Sequence, residues 1–106
     1  MRILLDQGTP APLRRVLAAH EVATAYEMGW AALDNGELLR AAEAEFEVFI
    51  TTDRNLRYQQ NLTGWRLAIL VLPTTSWPKI RAHIDQVVAA VNEVGPGELR
   101  ELTFPA

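Results

Sequence analysis

The stretch Val48-Phe49-Ile50-Thr51-Thr52-Asp53-Arg54-Asn55 decides how this chain folds. It begins with four apolar or β-branched residues, which favour a buried and pleated environment, so we predict a fully buried strand over Val48–Thr51. Asp53 follows just past the end of that strand, where a carboxylate can accept backbone N–H bonds from the next helix. The carboxyl end of a strand is also where open α/β sheets bind their ligands. Asp53 is therefore the first candidate site residue.

The amino-terminal end of the chain repeats this pattern. Arg2-Ile3-Leu4-Leu5 predicts a first strand, and Asp6 follows it immediately. Asp6 and Asp53 are 47 positions apart in the sequence, but parallel strands of one sheet end at the same edge of that sheet. We therefore expect the two carboxylates to converge in space.

Short strands and helices alternate along the rest of the chain. Further strands are expected over residues 20–26, 65–72 and 98–104. The resulting order, β-α-β-α-β-α-β-α-β, predicts an α/β fold with a mostly parallel sheet of four to five strands and helices on both faces. The length of 106 residues is near the commonest domain size, so we expect a single domain over 1–106.

Capping residues, prolines and glycines in the sequence predict where the helices begin and end. Thr9 and Pro10 predict the start of a first helix that runs to about His20. Asp34, followed three residues later by Glu37, has the capping-box pattern at the start of helix two. A short helix is expected from Asn55 to about Gln60. One last long helix is expected to begin after Ser76 and to end at Gly95-Pro96-Gly97.

Composition and charge exclude several classes of protein. The chain has no cysteine, which excludes disulfides and cysteine-based zinc or redox sites. A net charge of −3 provides no general attraction to nucleic acid, although a local basic rim or bound cations can offset an acidic site. No signal-peptide pattern begins the chain, and no apolar run approaches the length of a membrane span. A cytoplasmic protein without membrane association is expected.

Asp6, Asp53 and one acid from the start of helix two, either Glu37 or Asp34, make up the candidate site. Three carboxylates at one sheet edge repel each other unless a cation lies among them. Because no cysteine or histidine cluster is available, hard oxygen ligands point to Mg²⁺ or Mn²⁺, which can activate water for attack on a phosphodiester. The alternative for each acid is a helix cap or a solvated turn. That alternative is strongest for Asp34 and Glu37, because capping roles already account for both.

Three segments resemble the bacterial PIN-like domains, which are small relatives of the VapC-type toxins of toxin–antitoxin pairs. The segments are Ile3-Leu4-Leu5-Asp6, then Glu27-Met28-Gly29-Trp30 with Asp34-Asn35-Gly36-Glu37-Leu38-Leu39, and Phe49-Ile50-Thr51-Thr52-Asp53-Arg54-Asn55-Leu56. The similarity spans about residues 1–90 in the right order and at the right spacing. It implies a PIN-like three-layer α/β/α sandwich and, in active members, an Mg²⁺-dependent ribonuclease whose acidic cluster holds the metal.

By position, the resemblance assigns the catalytic and metal-binding roles to Asp6, Glu37 and Asp53, with Asn35 a less close match for the acid of helix two. Two departures stand out. Gln7 occupies the place where relatives with this opening usually have Glu, and Pro73-Thr74-Thr75 follows strand four where a fourth acid is expected. Fewer carboxylates make a weaker metal site. Asn55 and Asn61 are the neutral residues available to replace the missing acids.

Residues next to Asp53 are the candidates for substrate binding. Thr52, Arg54 and Asn55 are assigned this role, and solvated surface side chains are the alternative for the arginine. Thr51 and Thr52 either orient Asp53 or simply favour a strand, and the second interpretation is preferred. Arg57 and Arg66, like Arg54, either contact RNA phosphates or are solvated surface arginines. The polar run Tyr58-Gln59-Gln60-Asn61 either contacts single-stranded bases or is a solvated helix end.

The sequence thus supports two functions of different classes. The first is a metal-dependent endoribonuclease, the toxin of a toxin–antitoxin pair, whose antitoxin partner covers the site. The alternative is a catalytically inactive PIN-like module that binds an antitoxin partner or RNA. A flavodoxin-like phosphate or nucleotide binder is disfavoured because no glycine-rich loop follows strand one. The resemblance also implies a homodimer, with Trp30, Trp65 and Trp77 available for the core or for a partner groove.

Overall fold

The computed structural model describes residues 1–56 and 64–105, which contain five strands and four helices. They are β1 (Arg2–Leu5), α1 (Leu13–Val16), β2 (Glu21–Thr24), α2 (Asn35–Glu45), β3 (Val48–Thr51), β4 (Ala68–Val71), α3 (Trp77–Ala82), α4 (Ile84–Glu93) and β5 (Leu99–Glu101). No helix in the described ranges is long and apolar enough to span a membrane. Most of the helix predicted from Asn55 to about Gln60 lies outside the described residues, as do Arg57 and the polar run Tyr58–Asn61.

All five strands are parallel and form one sheet in the order β2-β1-β3-β4-β5. The predicted α/β class is therefore confirmed, and the sheet is parallel throughout. In the central pair, Leu4 lies opposite Phe49 and Leu5 lies opposite Ile50. The chain adds β2 on one side of β1 and then β3, β4 and β5 on the other side. The strand order thus reverses between β1 and β3, which makes their carboxyl ends a topological switch point.

The central strands separate two hydrophobic cores. Ile50 joins Leu5 on the face that α1, α3 and α4 cover, whereas Phe49 joins Leu4 on the face that α2 covers. Because successive residues of a strand point to opposite faces, a strand between two cores must be apolar at nearly every position. All four residues of β3 are buried. The arrangement is a three-layer α/β/α sandwich.

Side chains form hydrogen bonds with the backbone at both ends of α2. At its start, Asp34 Oδ1 accepts the Glu37 backbone N–H at 2.8 Å, and Glu37 Oε1 accepts the Asp34 backbone N–H at 3.3 Å, which confirms the predicted capping box. At its end, the Arg2 guanidinium donates to the Glu45 carbonyl oxygen at 2.7 Å and lies 4.7 Å from the centroid of the Phe46 ring. A positive charge at this end is favoured by the helix dipole. Arg2 of β1 therefore fixes the carboxyl-terminal end of α2, the helix that precedes β3.

The predicted start of the first helix is wrong. Thr9 was expected to cap it with Pro10 in the first position, but α1 begins at Leu13 and Pro12 precedes it. The Thr9 hydroxyl instead donates to the Ile50 carbonyl oxygen at 3.3 Å, and its side chain is buried. A long-range bond to the end of β3 therefore replaces the local cap.

The predicted last long helix is two helices, α3 and α4, which meet at His83. His83 has φ −120° and ψ 29°, outside the helical range, and its ring stacks on Phe104 with centroids 4.6 Å apart. The Ser76 cap is confirmed, since Ser76 Oγ accepts the Lys79 backbone N–H at 3.5 Å. Strands β2, β4 and β5 are shorter than predicted, because pairing with a neighbouring strand ends before the β-favouring sequence does.

The loop before β5 provides a test of this architecture. Gly97 has φ +76°, and a Cβ there would lie 2.7 Å from the Trp65 carbonyl oxygen. We expect Gly97→Ala to lower the free energy of unfolding by about 1–2 kcal/mol for the left-handed backbone alone, and further for the clash. Gly95→Ala is the matched control, because its Cβ would meet nothing closer than Glu98 Oε1 at 3.9 Å. Urea denaturation measures both, and equal losses would contradict the loop geometry.

Candidate functional site

The candidate site lies where β1 and β3 end. Asp6 directly follows β1, and Asp53 comes two residues after β3, its neighbour in the sheet. The Asp6 backbone N–H donates to the Ile50 carbonyl oxygen at 2.9 Å, so the pairing of the two strands extends as far as the first acid. Both acids therefore follow neighbouring strands at the topological switch point, which is where doubly wound sheets bind their ligands.

Thr51 connects the two acids. Its hydroxyl donates to Asp6 Oδ2 at 2.8 Å and accepts the backbone N–H of Asp53 at 3.1 Å. A hydroxyl has a single proton, so acceptance from Asp53 leaves that proton for Asp6. The Thr51 side chain is 1% exposed, so these bonds satisfy a polar group that would otherwise be costly to bury. Asp6 is further fixed because its Oδ1 accepts the Gln7 backbone N–H at 2.8 Å.

Asp53 is held from two other directions. Its Oδ1 accepts the Asn55 backbone N–H at 2.9 Å, and its Oδ2 accepts the Asn35 side-chain amide N–H at 3.3 Å. Asn35 is the first residue of α2, so the start of that helix reaches the same edge of the sheet. Asp6 and Asp53 are both half-buried, which leaves part of each side chain accessible to solvent.

Glu37 points to its own helix. Its carboxylate accepts the Asp34 backbone N–H, and the hydrogen bond from the Glu37 backbone N–H lowers the pKa of the Asp34 carboxyl below its usual value. Both acids thus form the cap that was the alternative to a site role. Within residues 1–56 and 64–105, no group of three or more His, Cys, Asp or Glu side chains is placed to hold a metal ion. The assignment of Glu37 to a metal site stays a prediction from the resemblance.

The three predicted substrate-binding residues lie beside Asp53 in different surroundings. Thr52 is half-buried against Gly8, where an added Cβ would lie 2.8 Å from the Thr52 hydroxyl oxygen. Arg54 donates a guanidinium N–H to the Pro73 carbonyl oxygen, just past the end of β4. Asn55 is exposed. Their contact with a substrate stays a prediction, and Arg54 already has one partner within the chain.

Sequence reasoning undervalued Thr51 and Asn35. The preferred interpretation of Thr51 is a strand-favouring residue, whereas its hydroxyl donates to the Asp6 carboxylate and accepts the Asp53 backbone N–H. The position of Thr51 in the sequence indicates this hydrogen-bonding role. Thr51 is the last residue of a strand buried on both faces and stands two residues before Asp53. A hydroxyl at the end of such a strand needs partners, and the neighbouring carboxylate and N–H are the nearest ones.

The described side chains at this edge include carboxylates, which hard cations bind, but they do not form a complete set of metal ligands. Two carboxylates are available, from Asp6 and Asp53, and Mg²⁺ is commonly bound through one or two carboxylates while water and substrate phosphates fill its other positions. A closed cage of protein ligands is absent from the described residues. The described residues of this edge therefore contribute two carboxylates and do not form a group of three or more metal-ligating side chains.

We expect Thr51→Val to destabilise the fold at this edge. The substitution keeps the shape of the side chain but leaves the part-buried Asp53 N–H without its acceptor, so we expect a loss toward the lower end of the range of about 1–3 kcal/mol that a fully buried unsatisfied group costs. Thr51→Ser keeps the hydroxyl and is the matched control. Amide hydrogen exchange should be faster at Asp53 in the valine variant and near wild type in the serine variant. Equal exchange at Asp53 in all three proteins would exclude the proposed bond.

Comparison of the chain with protein-family models, with curated proteins and with solved structures gave no match. The evidence for the α/β/α fold and for the Asp6–Thr51–Asp53 hydrogen bonds therefore comes from the structure of this chain alone. Membership in the PIN-like class stays a prediction from the sequence.

Proposed function

We propose that this chain is a PIN-like endoribonuclease, the toxin of a toxin–antitoxin pair, which hydrolyses RNA phosphodiesters with Mg²⁺ or Mn²⁺ held by Asp6 and Asp53. The observation that supports this most is that Asp6 and Asp53 follow neighbouring strands at the switch point, where the buried Thr51 hydroxyl donates to the Asp6 carboxylate and accepts the Asp53 backbone N–H. The RNA substrate, the antitoxin that covers the site, the homodimer and the cytoplasmic location belong to the proposal through the resemblance.

In this proposal the chain's own residues supply positioning. Thr51 and the Gln7 backbone fix both oxygens of the Asp6 carboxylate, while Asn35 and the Asn55 backbone fix both oxygens of Asp53. Carboxylates with fixed orientations lose little freedom when they bind a cation, which favours binding. A bound Mg²⁺ or Mn²⁺ would activate a water molecule and offset the charge of the phosphodiester.

A second candidate function is a catalytically inactive module that binds its antitoxin partner or RNA. The small number of carboxylates at the sheet edge favours this inactive module. Gln7 is exposed and carries no charge, Glu37 belongs to the capping box, and Pro73 follows the end of β4 where a fourth acid would stand. With two carboxylates in place of four, cation affinity is expected to be low. The same fold could then be retained for recognition alone.

Metal binding separates the two functions. We expect calorimetry at neutral pH to show saturable Mg²⁺ or Mn²⁺ binding by the wild type and none by Asp53→Asn, which keeps the side-chain shape but loses the charge. Asp85→Asn is the matched control, because Asp85 is an exposed acid in the first turn of α4 and should not affect binding. Absence of binding by the wild type at millimolar metal would overturn the nuclease proposal and favour the inactive module.

An RNA cleavage assay follows from a positive result. Cleavage that requires the metal and is lost in Asp53→Asn but kept in Asp85→Asn would support the nuclease. Metal binding without cleavage of any single-stranded RNA would instead favour a binding module that retains a cation.

We expect Asn35→Asp to strengthen metal binding. A carboxylate at this position would face Asp53, whose Oδ2 now accepts the Asn35 amide N–H. Without metal, repulsion between the two charges should lower the melting temperature, and Mg²⁺ should restore it, since a ligand that binds only the folded state stabilises it. Asn92→Asp adds the same charge at an exposed position of α4 and should show no Mg²⁺-dependent recovery. The same recovery in both variants would contradict a site at Asp53.

A further inference from the structure

Strand β2 lies at the edge of the sheet, and no other strand within residues 1–56 and 64–105 pairs with its outer side. The backbone N–H groups of Glu21 and Ala25 donate to carbonyl oxygens of the β1 segment at 2.9 and 3.0 Å. Because alternate residues of a strand direct their backbone groups to opposite sides, the backbone groups of Val22 and Thr24 point outward. Such outward groups can pair with a strand of another chain.

Two side chains cover this edge, and we refer to Arg14 and Glu27 as the edge clasp. Arg14 Nη2 donates to the Val22 carbonyl oxygen at 2.9 Å, and Glu27 Oε1 accepts the Thr24 backbone N–H at 3.0 Å. The two side chains also form an ion pair, with Arg14 Nη1 2.7 Å from Glu27 Oε1. The Thr24 carbonyl oxygen accepts the Met28 N–H at 3.1 Å. Three outward groups of Val22 and Thr24 thus have partners within the chain.

The clasp contributes little to folding by itself. The Arg14 and Glu27 side chains are 46% and 43% exposed, and ion pairs at such positions add little to stability. The hydrogen bond from Arg14, together with the one from the Thr24 backbone, lowers the pKa of the Glu27 carboxyl below its usual value, which favours the carboxylate that accepts both bonds. What sets this pair apart from an ordinary surface ion pair is its contact with outward backbone groups of an edge strand.

We propose that the edge clasp prevents β2 from pairing with the β2 strand of a second copy of this chain. The Thr24 carbonyl oxygen stays bonded to the Met28 N–H without the clasp, but loss of Arg14 frees the Val22 carbonyl oxygen. An antiparallel arrangement around a two-fold axis at Val22 would then let the Val22 N–H and carbonyl groups of two copies exchange hydrogen bonds, so the edge is self-complementary at this residue. Tyr26, which is 78% exposed directly after the strand, would add apolar surface to that contact.

A second copy is the occupant that fits this edge best. Three β2 side chains, those of Val22, Ala23 and Thr24, are uncharged, and the first two pack against the two cores. Glu21 is the one charged residue of β2, and it forms an ion pair with Arg2 of the neighbouring strand β1 at 3.5 Å. The two residues whose backbone groups point outward, Val22 and Thr24, therefore carry no charge that would keep edges apart, and the clasp performs this role from outside the strand. The inference does not depend on the proposed function, and it places any wild-type homodimer at another surface.

The test is the mass in solution of the double variant Arg14→Ala/Glu27→Ala, followed by sedimentation over a range of concentrations. We expect it to form a concentration-dependent species of twice the mass of the wild-type form. Glu21→Ala is the matched control, because Glu21 is on the same strand and carries the same charge, yet its backbone groups face β1. It should keep the wild-type mass.

Adding Val22→Pro to the double variant locates the contact. Proline has no N–H and is tolerated at edge strands, so it should return the double variant to the wild-type mass if the copies pair through β2. Association that persists with this substitution would overturn pairing through β2. A folded double variant, checked by circular dichroism, that keeps the wild-type mass at every concentration would overturn the proposal. If the double variant does not fold, the same two outcomes apply to Arg14→Ala and Glu27→Ala separately.

Discussion

The parallel pairing of β1 with β3 is the constraint on which the rest of this structure depends. These strands lie between both hydrophobic cores, and their pairing continues to the bond between the Asp6 N–H and the Ile50 carbonyl oxygen. A shift of one residue in this register would exchange the side chains that face the two cores and force both to repack, so the observed alignment is the one that their packing fits. That alignment is also what brings Asp6 and Thr51 to the same edge.

The two buried polar side chains of the described residues, Thr9 and Thr51, both lie at this edge. Thr9 donates to the Ile50 carbonyl oxygen, and Thr51 donates to Asp6. Burial of a hydroxyl is favourable only when its hydrogen bonds are made, so such groups fix geometry as well as fill space. The carboxyl ends of β1 and β3 are consequently the part of the described sheet where polar geometry is most tightly defined.

The sequence predicted the elements whose signals are local or continuous. The apolar runs of β1 and β3 and the capping box of α2 depend on residues within a few positions of each other, so the chain order alone reveals them. The start of α1 was missed because Thr9 bonds the end of β3, 41 positions away, and nothing near Thr9 indicates this. The break at His83 was missed for the same kind of reason, because its ring stacks on Phe104 in the carboxyl-terminal segment.

The Glu37 carboxylate could bond either a partner in its own helix or groups at the sheet edge. A carboxylate at this position of a helix can bond the cap residue three positions earlier, or it can extend toward a site built from other elements. The cap partner is adjacent in the chain and costs little entropy to reach, whereas a site on the sheet edge would also bring like charges together. Asn35, which is neutral, is the residue of α2 that contacts Asp53 instead. The edge of this sheet therefore carries the charge of two carboxylates, and the neutral Asn35 amide contacts Asp53 without adding a third charge.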